Sequence, residues 1–223
     1  MTPYDIALLL HILLFCYWLG GDVGVFYSSQ FVVDSKLSRE TRMTAAKIML
    51  GCDLVPKICM SLMLTVGGIL AHYLGVQHAL WQLIGIILLG PVWLTMVLVL
   101  HYRHNASYIA LLTKIDFCFR WAMIAALIAS SIYAYSTEHL AENSWIIIKL
   151  LGFACLIFCG LMIRVNLKPF SLGYAKILQN TQDDADNLNM LRSLNKVKPW
   201  VITIWLLLIF EAYVGIAKPY VGS

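Results

Sequence analysis

Apolar residues run along this chain in six blocks, each close to the ~20 residues that a helix needs to cross a bilayer. The blocks cover about 5–31, 48–71, 80–101, 115–135, 145–166 and 199–217. They are continuous runs, without the alternation of apolar and polar positions that marks a membrane β-strand. The pattern predicts an all-α bundle of six transmembrane helices, a single domain over 1–223, with the first helix reaching to about Val33. The longest connection, 167–198, carries Gln182-Asp183-Asp184-Ala185-Asp186-Asn187 and then Leu188, Leu191 and Leu194. It reads equally as a short amphipathic surface helix or as a polar loop.

Composition agrees with a membrane protein: 61% of residues are hydrophobic and 13% charged, against about a quarter charged in soluble domains. The net charge of +4 says less than where the charges fall. The first connection holds Lys36, Arg39, Arg42 and Lys47; the third Arg103, Lys114 and Arg120; the fifth Arg164, Lys168, Lys176, Arg192, Lys196 and Lys198. Of the 16 basic residues only Lys57, Lys149 and Lys218 fall elsewhere, and connections two and four hold none. The positive-inside rule then predicts connections one, three and five in the cytoplasm and both termini outside, as in a bacterial-type inner membrane. No basic cluster with interleaved aromatics points to nucleic acid.

The six cysteines (Cys16, Cys52, Cys59, Cys118, Cys155 and Cys159) lie in or beside apolar blocks, which argues against a disulfide framework. Cys155 and Cys159 read as small packing residues, with a soft-metal pair as the alternative. The start, Met1-Thr2-Pro3-Tyr4-Asp5, lacks a basic leader and no small-residue cleavage site follows, so the first span reads as retained.

Candidate chemistry comes from ionisable residues inside the spans, where a charge is costly without a partner, cofactor or water. On span one, His11, Trp18 and Asp22 are seven and eleven residues apart and share a helix face. Counting depth at 1.5 Å per residue places His11, Lys149 and Glu211 near one level in the outer half. Asp22, Asp53 and Lys57 lie deeper, toward the cytoplasmic third. Each group has a plainer reading beside the functional one. Asp53 and Lys57 have the spacing of a structural ion pair. Lys149 is near enough to Trp145 to snorkel to the surface. Glu211 reads alternatively as a protonated carboxyl bonded to a neighbouring helix, and His11 as a neutral hydrogen-bonded imidazole.

His72, His78 and His139 fall at the outer surface, and His101 and His104 at the cytoplasmic end of span three. An interfacial role suffices for these, with binding of a metal or a haem edge as the alternative for His101 and His104, three apart on one face. Gly20 and Gly24 form a small-xxx-small pattern that lets a helix approach span one. Pro56 interrupts span two between Asp53 and Lys57 and predicts a kink there.

Three stretches carry a family resemblance. His11-(six residues)-Trp18-Leu19-Gly20-Gly21 resembles the opening helix of HemJ-type protoporphyrinogen oxidases and of CopD-type copper-resistance membrane proteins. Leu54-Val55-Pro56-Lys57 followed by Leu62-Met63-Leu64-Thr65-Val66-Gly67-Gly68 resembles their second helix. Trp145-Ile146-Ile147-Ile148-Lys149 is similar to the Trp-x-x-x-Lys that opens a later HemJ-type span, here after two further spans. The resemblance covers about a third of the chain. It implies a haem b liganded by His11, a functional role for Lys149, and a pocket packed by Trp18 and the glycines.

Three functions are therefore expected. One is a haem b membrane redox protein, with His72 as the histidine placed to be a second ligand, Asp22, Asp53 and Glu211 as proton carriers, and quinone or a small molecule as electron partner. Another is a copper or proton-coupled carrier using Asp22, Asp53, Lys57 and Glu211, with Met60 and Met63 as soft donors. The last is a membrane anchor for a soluble redox partner held through 167–198.

Overall fold

The computed structural model describes residues 1–103, 106–138, 140 and 143–219; His104 and His139 lie outside the described residues. The described residues form helices and their connections: α1 (Pro3–Val33), α2 (Arg39–Tyr73), α3 (Leu80–Tyr102), α4 (Ile109–Ser136), α5 (Trp145–Asn166), α6 (Lys168–Gln179) and α7 (Asp184–Ala217). All but α6 are long and apolar enough to cross a bilayer. The protein is a multi-pass all-α membrane bundle.

Several helices outrun the apolar blocks, and their caps explain where they begin. Thr2 closes a capping box with Asp5 and Pro3 opens the first turn of α1. The Ser38 hydroxyl accepts from the Thr41 N–H and starts α2 well before its apolar part. Asp183 closes a second box with Asp186. From there α7 runs without a break into the sixth span, so the amphipathic stretch expected near 182–194 is helical but is the leading end of a spanning helix. Connection 167–198 contains α6 as well, which ends at Asn180 in the left-handed region (φ 57°).

α1 lies along α2, and α2 along α3; α5 packs on both α4 and α7; α7 returns to touch α1. α3 and α4 meet only lightly. Large apolar side chains face outward on most spans, as on α3 with Trp81, Ile84, Leu88 and Val92, where lipid is the expected neighbour. The central core gathers Trp18, Cys59, Met60, Trp93, Ile157, Leu161 and Leu208. A second core at the basic end joins Val32, Val33, Ala46, Met49, Phe170, Ile177, Met190 and Leu194, and so ties α6 and the start of α7 to α1 and α2.

Arg42 fastens that layer. It is buried, and its guanidinium donates to the Val32 carbonyl (2.8 Å), to Gln182 Oε1 (3.0 Å) and to Asn187 Oδ1 (2.9 Å). Arg39 donates to the carbonyls of Ile177 (2.9 Å) and Leu178 (2.7 Å) at the end of α6. Lys176 bridges to Asp186 across the α6–α7 turn, at 2.7 Å.

Close approach of α1 and α2 rests on Gly21 and Gly24 rather than on Gly20 and Gly24. A methyl on Gly21 would lie 2.7 Å from Pro56 Cδ, and one on Gly24 would lie 3.2 Å from Cys52 Sγ, whereas Gly20 has nothing within 4 Å. The face in contact follows an i, i+3 spacing, one of the two neighbour spacings on a helix surface. Where α3 crosses α2, the Thr65 hydroxyl donates to the Ile86 carbonyl (2.6 Å) and accepts from the Gly90 N–H (2.9 Å). That second bond meets a buried donor one residue before Pro91, which lies inside the continuous helix.

Candidate functional site

α1, α5 and α7 bring His11, Lys149 and Glu211 together near the end of the bundle opposite the basic layer. His11 lies near Lys149, and Lys149 near Glu211, so the amine is the neighbour the other two share. Glycines shape the space around each. The Nδ1–Cε1 edge of His11 faces Gly67 on α2, where a methyl would lie 3.4 Å from Cε1. The Glu211 carboxyl occupies the space left by Gly152 on α5, and a methyl there would collide with its Oε1. The Lys149 amine lies against Gly215, one turn beyond Glu211, where a methyl would sit 3.0 Å from Nζ. Lys149 therefore reaches α7 rather than only the surface.

Two polar atoms at this site are buried without a hydrogen-bond partner: His11 Nδ1 and Glu211 Oε1. Most buried polar groups are satisfied, so two orphans at one site mark a place where a proton, a water or a ligand belongs. Trp18 walls the region about two turns inward from His11. It is buried and meets the Phe153 ring edge-on at 6.2 Å.

Asp22 and Asp53 face each other across the α1–α2 contact, near enough for their charges to interact, with the Cys59 thiol also near Asp22. Lys57 pairs with Asp53 along α2, both partly exposed. Asp22 has no ion pair or hydrogen bond among the described residues. His72 is exposed at the far end of α2, its ring stacked on His78 at 6.2 Å. The structure therefore holds two polar groups at two depths: His11, Lys149 and Glu211 in one, Asp22, Asp53 and Lys57 in the other. His72 stands outside both.

A third group was hidden in the sequence. Asp116, Arg120 and Arg164 lie within helices, not in the polar connections to which the two arginines had been counted. Asp116 is 1% exposed, and its Oδ2 accepts from Arg120 Nε at 3.0 Å and from Arg164 Nη1 at 2.5 Å. The signal that could have found it is the Asp116–Arg120 spacing of four inside an apolar helix, the same spacing that exposed Asp53 and Lys57. Arg164, on another helix, had no local signal at all.

The donors near His11 can be compared with what haem b requires: an imidazole nitrogen for iron, a cation for a propionate, and apolar walls. His11 carries an imidazole, its Nδ1–Cε1 edge turned to Gly67, Lys149 carries an amine, and Trp18 with Phe153 forms an aromatic pair further in. These are residue types that a haem b site uses. Copper finds less support, because the Met60 sulfur accepts from Arg120 at 3.6 Å. Among the described residues no three of His, Cys, Asp and Glu gather at metal-binding distance. All six cysteines are free thiols.

No family model, curated protein or solved structure matches the chain.

Proposed function

We propose that this protein is a haem b-binding redox protein of a bacterial-type inner membrane, acting in electron transfer or oxidation around His11, Lys149 and Glu211. One observation carries the reading: His11 Nδ1 and Glu211 Oε1 are buried without partners on either side of an intramembrane amine. A scaffold built only for packing has no use for three ionisable groups at one depth, each facing a glycine. The resemblance of the His11–Gly21 stretch to the opening helix of HemJ-type proteins supports the same assignment.

In this reading His11 holds the group through its imidazole. Bound haem b supplies one-electron chemistry. Lys149 neutralises a carboxylate of the bound group, and Glu211 holds or releases a proton beside it. Trp18 and Phe153 keep water from the inner side of the site, which raises the weight of every charge left within it. Gly152 leaves room for the Glu211 carboxyl, which any side chain there would displace, whereas a methyl on Gly67 would only touch His11.

The test is a dithionite-reduced minus oxidised absorption spectrum of the detergent-purified protein from cells supplied with haem precursor. A b-type band that disappears in His11→Ala, while the variant still migrates as folded protein, supports the proposal. No band in the wild-type protein overturns it.

A second reading has its own observation. Asp22 is a carboxylate without an ion pair, facing an Asp53 that is already paired with Lys57. That arrangement suits a proton or cation carrier. In proteoliposomes it predicts pH-gradient-driven uptake that stops in Asp22→Asn and persists in His11→Ala.

A further inference from the structure

The proposed function makes no use of His72 and His78, yet the fold holds the two together. His72 lies in the last turn of α2, and Leu74 caps that helix. Gly75 follows with φ 91°, in the left-handed region that favours glycine. The Gly75 N–H donates to the His72 carbonyl and the Val76 N–H to the Ala71 carbonyl, both at 3.1 Å. These are the two bonds of a Schellman turn, which ends the helix and redirects the chain. Val76 is buried among Ala134, Leu140 and Ile147, with Ala71 packed alongside. Asn143 Nδ2 reaches the Leu74 carbonyl at 3.5 Å. The turn is thus fixed by its own hydrogen bonds and by the connection between α4 and α5.

Three residues past Gly75, His78 comes back beside His72. The ring centres are 6.2 Å apart and the ring planes 27° apart. Two imidazoles that share one ion each place a nitrogen about 2.0–2.1 Å from it, so the ring centres lie about 3.2 Å from the ion and no more than about 6.4 Å from each other. The pair falls inside that limit. His72 is exposed and free to turn toward the ion, whereas His78 is half-buried and held in place. Each imidazole has two nitrogens, so one can bind an ion while the other keeps a hydrogen bond that orients the ring.

The charge of this end suits a cation. The connections 74–79 and 137–144 hold no lysine or arginine, and the second carries Glu138, which is exposed. Two protein ligands leave the remaining coordination positions to water, as an ion reached from solvent requires.

We propose that His72 and His78 bind one divalent transition-metal ion, of the class to which zinc and copper belong, at the end of the bundle opposite the basic layer. The site stands apart from the His11 centre. Gly67, which faces His11, lies five residues earlier on α2. That is about 7.5 Å along the helix and about 140° around it.

The test is calorimetric titration of Zn²⁺ into the detergent-purified full chain, isolated on a tag without histidine, with Cu²⁺ substituted for electron paramagnetic resonance. One equivalent of zinc is expected, and the copper signal at one equivalent should show two imidazole nitrogens. His72→Ala and His78→Ala should each weaken binding at least tenfold, the equivalent of ~1.4 kcal/mol. The double variant should be little weaker than either single one, because losing one ring already breaks the chelate. His72 is exposed, so His72→Ala keeps the test decisive where His78→Ala fails to fold. Gly75→Ala keeps both ligands but strains the turn that pairs them, and should weaken binding several-fold. His11→Ala should bind zinc as the wild type does, so loss of the haem reading leaves this one standing. Affinity unchanged in His72→Ala, two equivalents lost independently in the two variants, or a copper signal from one nitrogen would each overturn the proposal.

Discussion

A single carboxylate oxygen holds two arginines in this protein, and the consequence is a steep asymmetry among substitutions. Asp116→Ala leaves both guanidiniums without their counter-charge and should cost about 3–5 kcal/mol, as breaking a buried pair does. A large drop in the thermal unfolding midpoint in detergent is the expected result, and an unchanged midpoint would show that the cluster is not structural. Gly152 offers a finer comparison. Gly152→Ala drives a methyl into the Glu211 carboxyl. The overpacking cost of about 1–3 kcal/mol cancels or outweighs the ~1 kcal/mol gained in helix propensity, so the variant should melt no later than wild type. Gly160→Ala has nothing within 4 Å to meet and should melt later.

These residues also show what could be read from the chain. His11, Lys149 and Glu211 were legible because 1.5 Å per residue turns sequence position into depth, and depth alone brought three helices to one level. The glycines that shape their site were not legible. Which of Gly20, Gly21 and Gly24 touches α2 depends on helix rotation, which the apolar pattern of an almost uniformly apolar α1 does not encode. Arg164 was read as loop charge because a lysine or arginine near a span end looks the same whether it faces water or a buried carboxylate.

Among the elements, α6 and the leading end of α7 behave as one unit bolted to α1 and α2 by Arg42. Arg42→Ala removes three hydrogen bonds from a buried guanidinium, each bond to a charged group being worth about 1.5–3 kcal/mol. Amide exchange across 180–194 should accelerate, while exchange in the central core stays slow. Asp183→Ala removes the cap of α7 and should cost about 1 kcal/mol, with the faster exchange limited to the first turns. Lys176 adds a pH dependence. Its hydrogen bond to Asp186 raises it above the ordinary lysine value. The contribution is therefore complete below that ordinary value and fades only as pH climbs through the raised one. Near neutral pH the bridge should be insensitive to pH. The six spans were legible from apolar runs, but the polar helix ends were not. Those were set by Ser38 and Asp183, whose capping competes closely with an ordinary turn in sequence.

At the scale of the molecule, basic side chains collect at one end of the bundle and the His11 centre lies toward the other. If the basic end faces the cytoplasm, a membrane-impermeant maleimide added to intact cells should label Gln77→Cys and leave Lys36→Cys unlabelled until the cells are broken. The reverse pattern would invert the topology and place the His11 centre on the inner side.

The buried Asp116–Arg120–Arg164 knot also bears on how the chain enters its membrane. An isolated span carrying an aspartate and an arginine in its first half is a poorer substrate for insertion, since such residues cost up to about 2.5–3.5 kcal/mol each as they approach a helix centre. Pairing within α4 lowers that cost, and the arrival of Arg164 on α5 supplies the second counter-charge from the next segment to be synthesised. α4 and α5 are thus expected to leave the translocation machinery together, as a helical hairpin whose second helix completes the electrostatics of the first. A chain truncated after α4 should therefore insert less efficiently than one extended through Asn166, and the deficit should shrink when both Asp116 and Arg120 are replaced by leucine.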